Sequence, residues 1–101
     1  VIECEAIRAV FGDAAARIPV SSTKSMHGHL LGGAGALERA AALMPFGEGL
    51  IPPTANLVDI DPGCMVRHVP QKAERGDIPH AVMSNSFAFG GSNVVLIAER
   101  A

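Results

Sequence analysis

A chain of 101 residues that is 49% hydrophobic carries enough apolar surface for the core of one small domain and is too apolar to be disordered. Eight Lys and Arg stand against ten Asp and Glu, a net charge of -2, and no basic run offers the electrostatic footprint that nucleic acid or an anionic membrane requires. Four Phe with neither Trp nor Tyr leave no stacking platform for single-stranded nucleic acid, and no apolar stretch approaches the roughly 18 residues of a membrane span, so a soluble, cytosolic protein with a small partner is expected.

In chain order, IECEAIRAVF (2–11) sets Ile2, Ala6, Ile7, Val10 and Phe11 on one face of a helix, with Gly12 as its C-cap. The chain has no initiator Met and opens abruptly on this helical turn, which suggests a piece of a longer protein. RIPVSST predicts a short strand at about 18–22, and GAGALERAAALM predicts a helix over 33–44 ended by Pro45, with glycines near its start that serve close packing. GEGLIPPTANLVDIDPG reads as a long ordered loop that wraps a larger body. CMVRHV (64–69), HAVMSNS (80–86) and NVVLIAE (93–99) read as strands, the last two joined by FAFGGS into a hairpin. Helices and strands in this order predict a layered α/β fold with a mixed sheet.

Glycine clusters invite a phosphate site, but the pattern fails on detail. The P-loop spacing from Gly28 reaches Gly33 and is followed by Ala34, and the dinucleotide pattern from Gly33 lacks its third glycine. His27 and His29 share a face of an extended segment, yet no third metal ligand is spaced near them. Cys4 and Cys64 lack any CxxC spacing and read as buried, inert thiols.

General acid/base or electrophilic chemistry suits His29 better. It lies just upstream of a helix whose free N–H groups and positive dipole end favour a neutral ring, able to donate one hydrogen bond to a substrate carbonyl. Lys24 and Glu38, close in sequence and opposite in charge, fit a supporting pair around it. Residue chemistry alone leaves this reading level with a satisfied structural histidine. SNSFAFGGSN is the second chemical stretch. Gly90 and Gly91 permit backbone conformations that aim N–H groups around Phe89 at an oxyanion, with Phe87 and Phe89 as an apolar wall; the alternative is a tight hairpin turn with two core phenylalanines.

VSSTKSMHGHLLGGAGALE, IPPTANL, DPGC and SNSFAFGGSNVVLIAER, in this order and spacing, resemble the C-terminal part of the β-ketoacyl-acyl-carrier-protein synthases of the synthase II type. The resemblance runs from Val1 to Arg100, and the pairing of K-S-x-x-G-H with N-S-F-x-F-G-G-[ST]-N carries it. It implies a thiolase-like α/β fold, of which residues 1–101 would form most of the C-terminal half, without the half that bears the nucleophilic cysteine. The implied reaction is a decarboxylating Claisen condensation between an acyl thioester on that cysteine and malonyl-acyl carrier protein, in a cytoplasmic homodimer. Neither cofactor nor metal is implied.

In this resemblance His29 matches the second catalytic histidine, which stabilises the enolate. Lys24 matches the active-site lysine and Glu38 the glutamate that orders it. Phe89 matches the gating phenylalanine whose backbone N–H contributes to the oxyanion hole, with Phe87 and Gly90 on the same gate. His27 stands where synthase II usually has Thr, and Ala88 where it has Gly, variants closer to nodulation-type synthases. Pro45 is expected to cut the helix earlier than in the family. A non-catalytic chain-length-factor-like subunit of the same fold is the alternative, against which Lys24 and His29 argue; a freestanding His-x-His metal module is a weaker third reading.

Overall fold

The computed structural model describes residues 1–101. Helix α1 (Ile2–Phe11) has Glu3 and Glu5 in its first turn and Arg8 in its last, charges that complement the helix dipole. Gly12 ends it with φ 54°, its N–H donating to the Arg8 carbonyl, and the chain then tightens into a 3-10 turn over Gly12–Ala16. Of the apolar face expected on α1, only Ile7 is buried, while Ile2 and Val10 face solvent.

Strands β1 (Pro19–Val20) and β3 (Arg67–His68) pair in parallel, and Thr54 bridges Pro70 alongside. Val69 sits at the centre of this arrangement, fully buried, its N–H donating to the Val20 carbonyl and its own carbonyl accepting from the Thr54 N–H at 2.8 Å. Both strands are shorter than the sequence suggests, because local turns take the backbone groups that a longer ladder needs. Past Val20, the Ser22 N–H is taken by Thr54 Oγ1 and its carbonyl accepts from Ser25. Ahead of Arg67, the Gly63 N–H donates to Asp61 Oδ1, the Cys64 N–H to the Asp61 carbonyl, and the Val66 N–H to the Cys64 carbonyl.

A single-turn helix α2 (Lys24–His27), not anticipated from the sequence, and a 3-10 turn (Leu31–Gly33) lead into α3 (Ala34–Leu43). Pro45 does end α3 but does not end helical structure: it opens α4 (Pro45–Glu48), where a missing N–H costs nothing at the first helical position. Gly49 closes α4 in the left-handed region at φ 65°. No other residue fits there, since a Cβ would sit 2.2 Å from the Gly76 carbonyl oxygen. That close approach lets β2 (Leu50–Ile51), inside the stretch read as loop, pair antiparallel with the unpredicted β4 (Glu74–Arg75).

Strands β5 (Ala81–Phe87) and β6 (Asn93–Glu99) form the expected hairpin in register from Ala81↔Glu99 to Phe87↔Asn93. Helix α3 lies against it, with Gly35 facing Ser86 and the Arg39 guanidinium reaching the Leu96 carbonyl. The packing role expected of the glycines holds only loosely. A methyl at Gly35 would meet Ser86 Oγ at an ordinary 3.8 Å, and one at Gly33 would meet only its near neighbour Leu30, at 3.7 Å.

Parallel and antiparallel pairing thus coexist as expected of a mixed α/β fold, although as three separate two-stranded ladders. Apolar runs such as NVVLI normally belong to strands covered on both faces. Here Val94, Val95, Leu96 and Ile97 are all about half exposed or more, so both faces of β6 are uncovered within these residues.

Candidate active site

Lys24 is the first residue of α2, and three side-chain bonds place that turn. Ser25 Oγ donates to the Ser22 carbonyl and accepts from the Ala55 N–H at 2.7 Å, while Thr54 Oγ1 accepts from the Ser22 N–H at 2.9 Å. The IPPTANL loop is therefore the splint of the KSMHGH segment. From this position the Lys24 ammonium forms an ion pair with the carboxylate of Glu38 on α3. Glu38 Oε1 is buried and has no other polar partner, whereas the Lys24 side chain is 39% exposed.

The pair borders an open cavity of about 1050 Å³, together with Glu3, Cys4, Ser84 and Asn85. Asn85 Nδ2 donates to Glu3 Oε1 at 3.2 Å, and its Oδ1 is buried without a partner. Sequence reasoning missed Glu3 and Asn85. An Asn in the middle of a strand, where that residue is depleted, was the available signal for the second.

His27 has both ring nitrogens engaged. A carbonyl can only accept, so Nδ1–H donates to the Gly28 oxygen at 2.7 Å, and the Thr23 hydroxyl donates to Nε2 at 3.1 Å. The ring clips the two ends of α2 together, which gives this departure from the family pattern a structural task. Gly28, at φ 76°, then reverses the chain into His29.

His29 is held differently. Its Nδ1 accepts the Leu31 N–H at 3.1 Å, capping the 3-10 turn that precedes α3. A ring that accepts at Nδ1 carries its proton at Nε2 when neutral, so the exposed nitrogen is a hydrogen-bond donor. Leu31 itself adopts φ 50°, a strained value for a leucine, beside the candidate histidine.

The second stretch lies apart. Phe87, Phe89 and Gly90 do not border the cavity of Lys24 and Glu38, nor does His29. Phe89 is fully exposed at the hairpin tip and Phe87 half exposed, so neither is packed into a core within these residues. The tip is closed by the Ala88 N–H to the Ser92 carbonyl, with Gly90 and Gly91 at φ 84° and 83°. The N–H of Phe89 has no backbone partner and remains a free donor.

Burial pushes the Cys4 thiol up from its ordinary value, and the neighbouring Cys64 thiol adds to the shift. Both are free and half-buried, rather than sealed in the core as the sequence suggested.

The family described as beta-ketoacyl synthase, C-terminal domain, matches residues 1–58. A 3-oxoacyl-[acyl-carrier-protein] synthase 2 of Coxiella burnetii is 48% identical over 99 residues, covering 98% of this chain and 24% of that protein. Nodulation protein E of Rhizobium leguminosarum bv. trifolii is 50% identical over 98 residues, covering 94% and 23%. A solved complex of a type II PKS acyl-carrier protein with its ketosynthase bound to the hexaketide superposes with a TM-score of 0.91 at 31% identity, covering 98% of this chain and 24% of its own. The thiolase-like α/β fold follows from that superposition. The chain spans about a quarter of the length of the curated relatives it matches, and it belongs to the β-ketoacyl synthase family, within the C-terminal domain.

Proposed function

We propose that the protein of which these residues form a part is a 3-oxoacyl-acyl-carrier-protein synthase, a condensing enzyme of fatty-acid or related acyl-chain synthesis. Residues 1–101 supply most of its C-terminal half, and the nucleophilic cysteine lies outside them, since Cys4 and Cys64 do not match it. The observation that carries this reading is the hydrogen bond to His29 Nδ1, which leaves Nε2–H as the donor that the chemistry requires.

Malonyl-acyl carrier protein loses CO2 when the bond to its carboxylate breaks and the electron pair moves onto the thioester oxygen. The Nε2–H of His29 donates to that oxygen as its charge develops. The enolate carbon then attacks the acyl thioester, and the cysteine thiolate leaves. Phe89 supplies one backbone N–H to the second oxyanion, with Phe87 and Gly90 on the gate that admits the acyl chain. Lys24, held by Glu38, orients the site. The partner is acyl carrier protein, the enzyme a cytoplasmic homodimer.

In the full-length enzyme, His29→Ala is expected to abolish malonyl decarboxylation while cysteine acylation proceeds. Radiolabelled CO2 release and acyl-enzyme mass measure the two steps separately; undiminished decarboxylation in the variant would overturn the proposal.

A further inference from the structure

Two contacts lay one face of α1 along the DPGC turn. A Cβ built on Gly63 would meet Val1 Cγ2 at 3.2 Å, so the Val1 side chain packs directly over that glycine. Two turns further, the Arg8 guanidinium reaches Met65 Sδ at 3.5 Å. Val1, Cys4 and Arg8 fall on one helical stripe, and Cys64 lies between Gly63 and Met65. The two outer contacts therefore bracket Cys4 and Cys64 and set them against each other. The turn is itself held rigid: Asp61 takes the Gly63 and Cys64 N–H groups, and His68 Nε2 donates to the Cys64 carbonyl at 2.9 Å.

We propose that Cys4 and Cys64 are an oxidisable dithiol, a modification site at which a disulfide staples α1 to the DPGC turn. The co-reactant is a low-molecular-weight disulfide such as glutathione disulfide. A Cys64 thiolate attacks it and expels one glutathione thiolate, and Cys4 then attacks Cys64 and expels the second. Two S–H bonds are lost, one S–S bond forms, and both electrons and both protons end on two molecules of glutathione. Cys64 reacts first because burial raises the Cys4 thiol and keeps it protonated. Cys4 borders the same cavity as Lys24 and Glu38, and its neighbour Glu3 bonds Asn85, so the staple fixes that wall. The inference is independent of the proposed reaction.

The test treats the native full-length protein with glutathione disulfide, blocks free thiols with iodoacetamide, and maps tryptic peptides without reduction. The expected product links the peptide ending at Arg8 to that ending at Arg67, lighter by two hydrogens than their sum. It should form on the order of tenfold faster in the native protein than in urea, because the fold holds the thiols together. Cys4→Ser should leave Cys64 carrying glutathione. Recovery of both cysteines as free or separately glutathionylated in the native protein overturns the proposal, as does a link formed no faster in the native state than in urea.

Discussion

The Lys24 ammonium and the Glu38 carboxylate meet between α2 and α3, and the carboxylate is the more buried partner by far, 13% exposed against 39%. The asymmetry predicts unequal costs. Lys24→Ala strands a buried anion, whereas Glu38→Gln leaves a cation that reaches water. Breaking a fully buried pair costs about 3–5 kcal/mol, and the exposure of Lys24 reduces this to about 2 kcal/mol for Lys24→Ala and about 1 kcal/mol for Glu38→Gln. Urea unfolding of the full-length protein and both variants checks the order. In the double variant, Lys24→Ala with Glu38→Gln, part of the loss is recovered because the stranded charge is gone.

His29 combines two tasks on its two nitrogens, and substitution can separate them. Asparagine places an amide oxygen near the position of Nδ1, so His29→Asn keeps an acceptor for the Leu31 N–H and loses the Nε2 donor. The variant is expected to unfold within about 0.5 kcal/mol of the parent, while decarboxylation falls by about 10²–10³, the usual loss for one oxyanion donor. A large loss of stability together with activity would mean that the ring is needed mainly as a cap.

The elements legible in the sequence were those set by strong local signals: α1 with its Gly12 cap, α3, and the β5–β6 hairpin. The short ladders were overdrawn at Val20, where the distant Thr54 claims the Ser22 N–H, and at Arg67, where the local Asp61 turn claims the Gly63 and Cys64 N–H groups. Helix α2 was invisible because Ala55, thirty residues on, holds it from outside through an N–H donated to Ser25 Oγ. Among candidate residues, Lys24 and Glu38 were anticipated as partners and are joined, whereas the task of His27 needed the positions of Thr23 and the Gly28 carbonyl. Phe89 was set between a gate and a core residue, and within these residues its ring has no core to join.

That exposure yields a clean separation of stability from function. A side chain with no packing partners contributes little to folding, so Phe89→Ala should change unfolding free energy by less than about 0.5 kcal/mol. If Phe89 gates the acyl chain, condensation by the full-length variant falls while its thermal midpoint stays put. A drop in both would place the ring in a packed environment supplied by residues outside this chain.

The raised Cys4 thiol gives a signed dependence of stability on pH. Below about 8.5, the ordinary thiol range, Cys4 is protonated whether the chain is folded or not, and its contribution is fully present. Above that value the unfolded chain gives up the proton while the folded one, where burial and the Cys64 thiol disfavour the thiolate, retains it. The folded state then binds more protons than the unfolded, so stability falls as pH rises, until the folded thiol also ionises and the loss levels off. Under reducing conditions, the difference in urea midpoint between parent and Cys4→Ala should be flat from pH 6 to about 8 and shrink above it. Comparing the two proteins cancels the lysines and other groups that titrate in the same window. A difference that grows with pH would mean that the thiolate, not the thiol, is the form the fold prefers.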